Sequence, residues 1–107
     1  MHILKRKLYK RGSSYELTIP IPILFGIDMK ARHKVIFSYK DSNWSVLIDA
    51  QPDKKDLARN IYKRGSSYET TIPLQLILHL DPEKEYYALF KYSKHWFLEF
   101  EEVKHAK

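Results

Sequence analysis

Residues 9–20, YKRGSSYELTIP, recur fifty-three residues later at 62–73 as YKRGSSYETTIP, differing at one position, Leu17 against Thr70. No other feature constrains the fold as strongly. A phrase kept twice in one chain demands two copies of one local structure. With the same shift, residues 8–39 lie over 61–92, and chemical class persists where identity fades. Ile21, Ile23, Leu24 and Ile27 face Leu74, Leu76, Ile77 and Leu80. Asp28 matches Asp81, Phe37 matches Phe90 and Tyr39 matches Tyr92; dropping one residue in the next turn sets Trp44 over Trp96. The chain of 107 residues therefore reads as a single domain built of two repeats, 1–50 and 59–103, with a linker at 51–58. A unit of about fifty residues buries too little apolar surface to be comfortable alone, so the repeats are expected to share one core.

Each repeat reads as strand, hairpin tip, strand, short helix, loop, strand, turn, strand. In the first, residues 4–10 and 15–19 form two strands joined by the tip RGSS. Gly12 and Gly65 supply the backbone freedom of a tight turn. Tyr15, Leu17 and Ile19 alternate with Glu16 and Thr18, a period of two. Pro20 ends the strand, and Pro22 suits the first turn of a helix. The segments IPILFGI and LQLILHL are expected to be short helices or helical turns buried on most sides. Val35, Phe37 and Tyr39, then Trp44, Val46 and Ile48, alternate on two strands about the turn DSN. The linker is polar, with a helical turn expected at KKDLAR.

Eight strands and two short helices leave edges that need partners. Two repeats closing into one small barrel about an approximate two-fold axis would remove them. Hydrophobic content of 44% with 14% aromatics excludes a disordered chain. No run of apolar residues approaches a membrane span, and the N-terminus lacks a signal-peptide run. With no cysteine, a disulfide framework is excluded and a cytoplasmic location is expected.

The residues carry a resemblance. The segment YKRGSSYELTIPIPILFGI has a basic residue, Gly, a short polar turn, a strand, IP and an apolar helix. It is similar to the pattern of the AbrB/SpoVT/MazE superfamily of swapped-hairpin barrels, and the resemblance covers about 85 residues in both repeats. Members usually carry one copy and dimerise by exchanging hairpins; this chain looks like that dimer fused. The implied fold is mostly β: a small closed cradle-loop barrel with pseudo-two-fold symmetry and one short helix per repeat. The implied function is DNA binding, in a transcriptional regulator or an antitoxin. Two departures matter. The family's Gly-Asp turn after the helix is missing from DMKARHKV and DPEKEYYA. The RIFT-type barrel, whose hairpins are not exchanged, therefore stays open. After Phe100 only EEVKHAK remains, which is short for a toxin-binding arm.

In DNA-binding members the first strand and first hairpin tip face the duplex. Carried over, the matching positions are Lys10, Arg11, Gly12, Ser13 and Ser14, and Lys63, Arg64, Gly65, Ser66 and Ser67. Lys5 and Lys7, with Arg6, thicken the first patch. The chemistry is apt in itself: Arg forks onto guanine or phosphate, Lys is a point charge, and Ser hydroxyls with free tip amides bond phosphate oxygens. A net charge of +6 favours an anionic partner, first nucleic acid, though it also serves solubility. Two alternatives stand. The tips could be solvated turns whose cations are neutralised by Glu16 and Glu69 across the hairpin. The barrel could instead hold a protein partner or a small ligand. Tyr9, Tyr62, Tyr15 and Tyr68 flank the tips and are read as cross-strand packing pairs rather than stacking platforms.

His2, His33, His79, His95 and His105 are scattered and do not fall at metal-ligand spacings. Ser13 and Ser14 lack a nucleophile context, and KRGSS is too short for a phosphate-binding loop. The expectation is therefore no catalytic residue, no metal and no cofactor. The expected partner is double-stranded DNA, with a protein partner as the alternative. The expected state is a monomeric pseudo-dimer, with a higher oligomer open.

Overall fold

The structure, a computed structural model, describes residues 2–24, 27, 33–49 and 57–104. The chain folds mostly as β. The strands are β1 (His2–Arg11), β2 (Ser14–Thr18), β3 (Lys34–Lys40), β4 (Asn43–Asp49), β5 (Leu57–Asn60), β6 (Tyr62–Arg64), β7 (Ser67–Thr71), β8 (Tyr86–Ser93) and β9 (His95–Glu102). They form one sheet in the order β5-β3-β4-β9-β8-β1-β2-β7-β6. Its two end strands, β5 and β6, are consecutive in sequence with Ile61 between them. The sheet thereby curls into a nearly closed barrel and leaves little edge to pair with another chain.

Closure depends on strands that change partners. The first part of β1 pairs with β8 (Lys5 opposite Leu89), and its last four residues pair with β2 (Leu8 opposite Leu17). Residues 57–64, which lie over 4–11 in the repeat, do the same in two pieces. Here β5 pairs with β3 (Val35 opposite Arg59) and β6 with β7 (Lys63 opposite Tyr68). The ninth strand segment, one more than the sequence pattern predicts, arises because Ile61 interrupts this run. Each repeat's first strand thus lies beside the third strand of the other repeat. The remaining contacts join like to like. β2 pairs with β7 with Leu17 opposite Thr70, and β4 pairs with β9 with Ser45 opposite Phe97. The backbone bonds Ile19 N to Tyr68 O, 2.8 Å, and Ile72 N to Tyr15 O, 2.9 Å, extend the β2–β7 seam at both ends.

The single core draws on both repeats. Leu8, Leu17, Ile19, Val35, Phe37 and Val46 from the first pack with Ile72, Leu76, Ala88, Phe90 and Leu98 from the second. The alternation Tyr15, Leu17, Ile19 points inward as expected, with Tyr15 and Tyr68 packed against this cluster. The apolar segments after each strand are shorter and more open than expected. Ile21–Leu24 is a single 3-10 turn and Leu74–Ile77 a four-residue helix, α1. Ile23, Leu24, Leu76 and Ile77 are buried, but Ile21, Leu74 and Leu78 are exposed. They are one-sided plugs over the barrel rather than helices buried on most sides.

Where a helical turn was expected across 54–59, Leu57–Asn60 is strand β5; residues 50–56 lie outside the described residues. Asp28 does too, whereas Asp81 accepts the Glu83 amide at 2.9 Å, as a turn residue does. No helix among the described residues is long and apolar enough to cross a membrane.

Candidate functional site

The twelve-residue phrase builds the four-stranded part β1-β2-β7-β6. In each hairpin the arginine pairs with a serine across a two-residue loop: Arg11 with Ser14 about Gly12–Ser13, and Arg64 with Ser67 about Gly65–Ser66. Gly12 and Gly65 hold φ of 60° and 63°, the left-handed region that two-residue hairpins require at their first loop position. A Cβ at either would touch nothing within 4 Å, so the demand is on the backbone angle and not on space.

Because β2 and β7 run antiparallel with Leu17 opposite Thr70, the two tips project from opposite ends of this sheet. The register separates them by nine strand residues, about 30 Å along the strand direction at a rise of about 3.3 Å. Lys10, Arg11, Gly12, Ser13 and Ser14 are exposed, as are Lys63, Arg64, Gly65 and Ser66, while Ser67 is half-buried. Lys10 and Lys63 have no ion-pair partner among the described residues.

The arginines differ from the lysines in this respect. Arg11, Glu16, Glu69 and Arg64 occupy the outward face of the sheet, alternating with the core positions. The glutamates are buried there, at 9% and 7% exposure. Arg11 Nε lies 2.7 Å from Glu16 Oε1. Arg64 Nη1 lies 3.4 Å from the same oxygen and 3.3 Å from Glu69 Oε1, though the latter approach is not aligned as a hydrogen bond. The Tyr62 hydroxyl donates to Glu16 Oε2 at 2.5 Å, and Thr18 donates to Glu69 Oε2 at 3.4 Å. Burial, then the bond to Glu16 and that carboxylate's negative charge, push the Tyr62 phenol up to about 12. Arg64 also stands over the Tyr62 ring, 5.5 Å from its centroid.

The neutralisation foreseen as an alternative to anion binding therefore occurs at the arginines. It does not occur at Lys10 and Lys63. Tyr9 and Tyr62, expected to act alike, do not: Tyr62 turns onto Glu16, while Tyr9 is 40% exposed with Lys7 5.8 Å above its ring.

The thickening of the first patch is only partial. Lys7 and Lys10, with Tyr15, Lys84 and Tyr86, line a cavity of about 290 Å³ beside the first tip. Lys5 belongs to the stretch paired with β8, bonds Glu101 at 3.2 Å and sits 4.7 Å from the Tyr87 ring. It is removed from the tip. Tyr62 and Thr18 are members of the site that sequence reasoning did not assign to it. The signal lay in the phrase itself, which keeps a tyrosine and a glutamate at fixed spacing in both copies. Among the described residues no three His, Asp or Glu side chains gather as a metal site would require. Comparisons with protein-family models, curated proteins and solved structures find no match to this chain.

Proposed function

We propose that the chain is a DNA-binding protein, an AbrB-like regulator whose two basic hairpin tips contact duplex DNA. The observation that carries this reading is the placement of two exposed hairpin tips, carrying Lys10 and Lys63, at opposite ends of one sheet, about 30 Å apart along the strands. Successive major grooves on one face of B-DNA lie about 34–36 Å apart, so both tips can meet the same side of one duplex. Free lysines supply point charges for phosphate, and the serine hydroxyls and turn amides supply donors.

The architecture supports the finer assignment as well. Repeat positions face one another at Leu17–Thr70 and Ser45–Phe97, as an approximate two-fold axis requires. Around the barrel the hairpins of the two repeats alternate, each first strand beside the other repeat's third. That alternation favours the exchanged-hairpin barrel over the RIFT type. The protein is then one chain doing what a dimer of single-copy subunits would do.

The test is fluorescence anisotropy with a mixed-sequence duplex of about 30 base pairs. Replacing Lys10 and Lys63 together by Ala is expected to weaken binding across all sequences and to flatten the logarithmic salt slope by about 2. Unchanged affinity would remove the tips from the interface. A second reading rests on the β4–β9 part of the barrel, where Leu47 is 59% exposed and, with Phe97 and Trp96, lines an open apolar groove. This face suits a protein partner. Loss of such a partner on Leu47→Lys, with DNA binding intact, would support it.

A further inference from the structure

The two tips are identical in sequence, KRGSS and KRGSS, yet their arginines are held differently. Arg11 pairs with Glu16 through its nearest atom, Nε, 2.7 Å from Oε1, an approach not aligned as a hydrogen bond, and half of its side chain is exposed. Among the described residues its guanidinium N–H groups have no hydrogen-bond partner. A guanidinium whose nearest carboxylate lies on its Nε side keeps the two parallel donors of its outer edge for a pair of adjacent acceptors. Arg64 is held through Nη1, the outer edge itself. That nitrogen is shared between Glu16 at 3.4 Å and Glu69 at 3.3 Å, and the group is further confined over the Tyr62 ring. Two buried carboxylates this close repel each other unless a cation stands between them. Arg64 stands there.

We infer that the tips divide their labour. Arg11 presents its fork to the duplex, while Arg64 is a structural clamp on Glu16 and Glu69 and makes little contact with DNA. This rests on the DNA-binding reading and specifies how that interface works. The fork of Arg11 fits paired acceptors, either guanine O6/N7 or two phosphate oxygens. The second tip then contributes Lys63 and its turn backbone, so a pseudo-symmetric protein would read its two half-sites unequally.

The experiment uses the full chain with Arg11→Ala, Arg64→Ala and Arg64→Ala/Glu69→Gln. Each is measured for duplex affinity by anisotropy at about 50 mM salt and for melting temperature. Arg11→Ala is expected to lose about 5- to 100-fold in affinity, with its melting temperature nearly unchanged, because Arg64 and Tyr62 still satisfy Glu16. Arg64→Ala is expected to melt about 5–15 °C lower, because Glu69 loses its counter-ion. Adding Glu69→Gln should restore most of that stability and leave affinity within about threefold of the parent. The same comparison on duplexes with and without G·C pairs separates the two acceptors: guanine contact makes the Arg11→Ala loss depend on G·C content, phosphate contact does not. Equal losses of affinity in Arg11→Ala and Arg64→Ala/Glu69→Gln, from a parent that binds, would overturn the division of labour alone. A parent that does not bind duplex DNA would overturn the DNA-binding reading, and the role of Arg11 with it.

Discussion

Tyr62 shows how far a single residue of the repeated phrase departs from its twin. Its hydroxyl lies on buried Glu16, and its phenol is pushed up to about 12, first by burial and then by that carboxylate. Tyr9, in the same place in the first copy, stays 40% exposed. The sign of the consequence follows from linkage. Between the ordinary phenol value of about 10 and the raised one, the folded state holds a proton that the unfolded state has released. Stability from this contact is fully present below about pH 10 and is lost as pH rises towards 12. A spectrophotometric titration should therefore show one late-ionising tyrosine, absent in Tyr62→Phe. The parent should also lose stability more steeply than that variant between about pH 10 and 12. A variant with the same alkaline slope would show that the phenol is not bonded to Glu16.

At the scale of elements, the hairpins were legible because their determinants are local. Gly12 and Gly65 mark the turns, and the alternation of Tyr15, Leu17 and Ile19 marks the buried face. The turn expected at DSN is a residue shorter, Asp41–Ser42 with φ of 52° and 66°, and Asn43 already belongs to β4. The apolar segments were read as more buried than they are, since hydrophobicity alone does not tell a plug with one covered side from a core helix. Pro22 within the first of them has no N–H to give, which suits a short 3-10 turn; the second has Gln75 at that place and forms a turn of α-helix. Strand β5 was missed because Leu57–Asn60 is too short to show an alternation and pairs with a strand far away in sequence. In the candidate site, the basic tips could be read, but the burial of Glu16 and Glu69 could not. It arises only when β2 and β7 pair and bring both carboxylates onto one face.

That seam also explains the one difference in the phrase. Leu17 and Thr70 face each other there, both 1% exposed, and Thr70 Oγ1 donates to the Asn60 carbonyl at 2.8 Å, next to the break between β5 and β6. Thr70→Val keeps the shape and removes the donor. It is expected to cost about 1 kcal/mol in denaturant unfolding, a fall of about 4–8 °C in melting temperature. No change would mean that the threonine is retained for some reason other than this bond.

At the scale of the whole molecule, the interleaved hairpins make one barrel and one core from both repeats, so neither repeat carries a core of its own. The same arrangement sets the two tips at the ends of one sheet with their turns outward. Lys5, Lys84 and Lys91 are paired with Glu101, Glu102 and Glu99, and Arg11 and Arg64 with the buried glutamates, while Lys10 and Lys63 at the tips have no ion-pair partner among the described residues. DNA binding through these tips, as proposed, must be sensitive to salt. The most direct measurement is the affinity of the intact chain for duplex DNA across about 50–300 mM salt. Contact through the lysines and Arg11 predicts tight binding at the low end and a log–log slope between about −2 and −4. No retention of duplex DNA at about 50 mM salt, or a slope near zero, would contradict the claim that the doubled tip is a DNA-binding device.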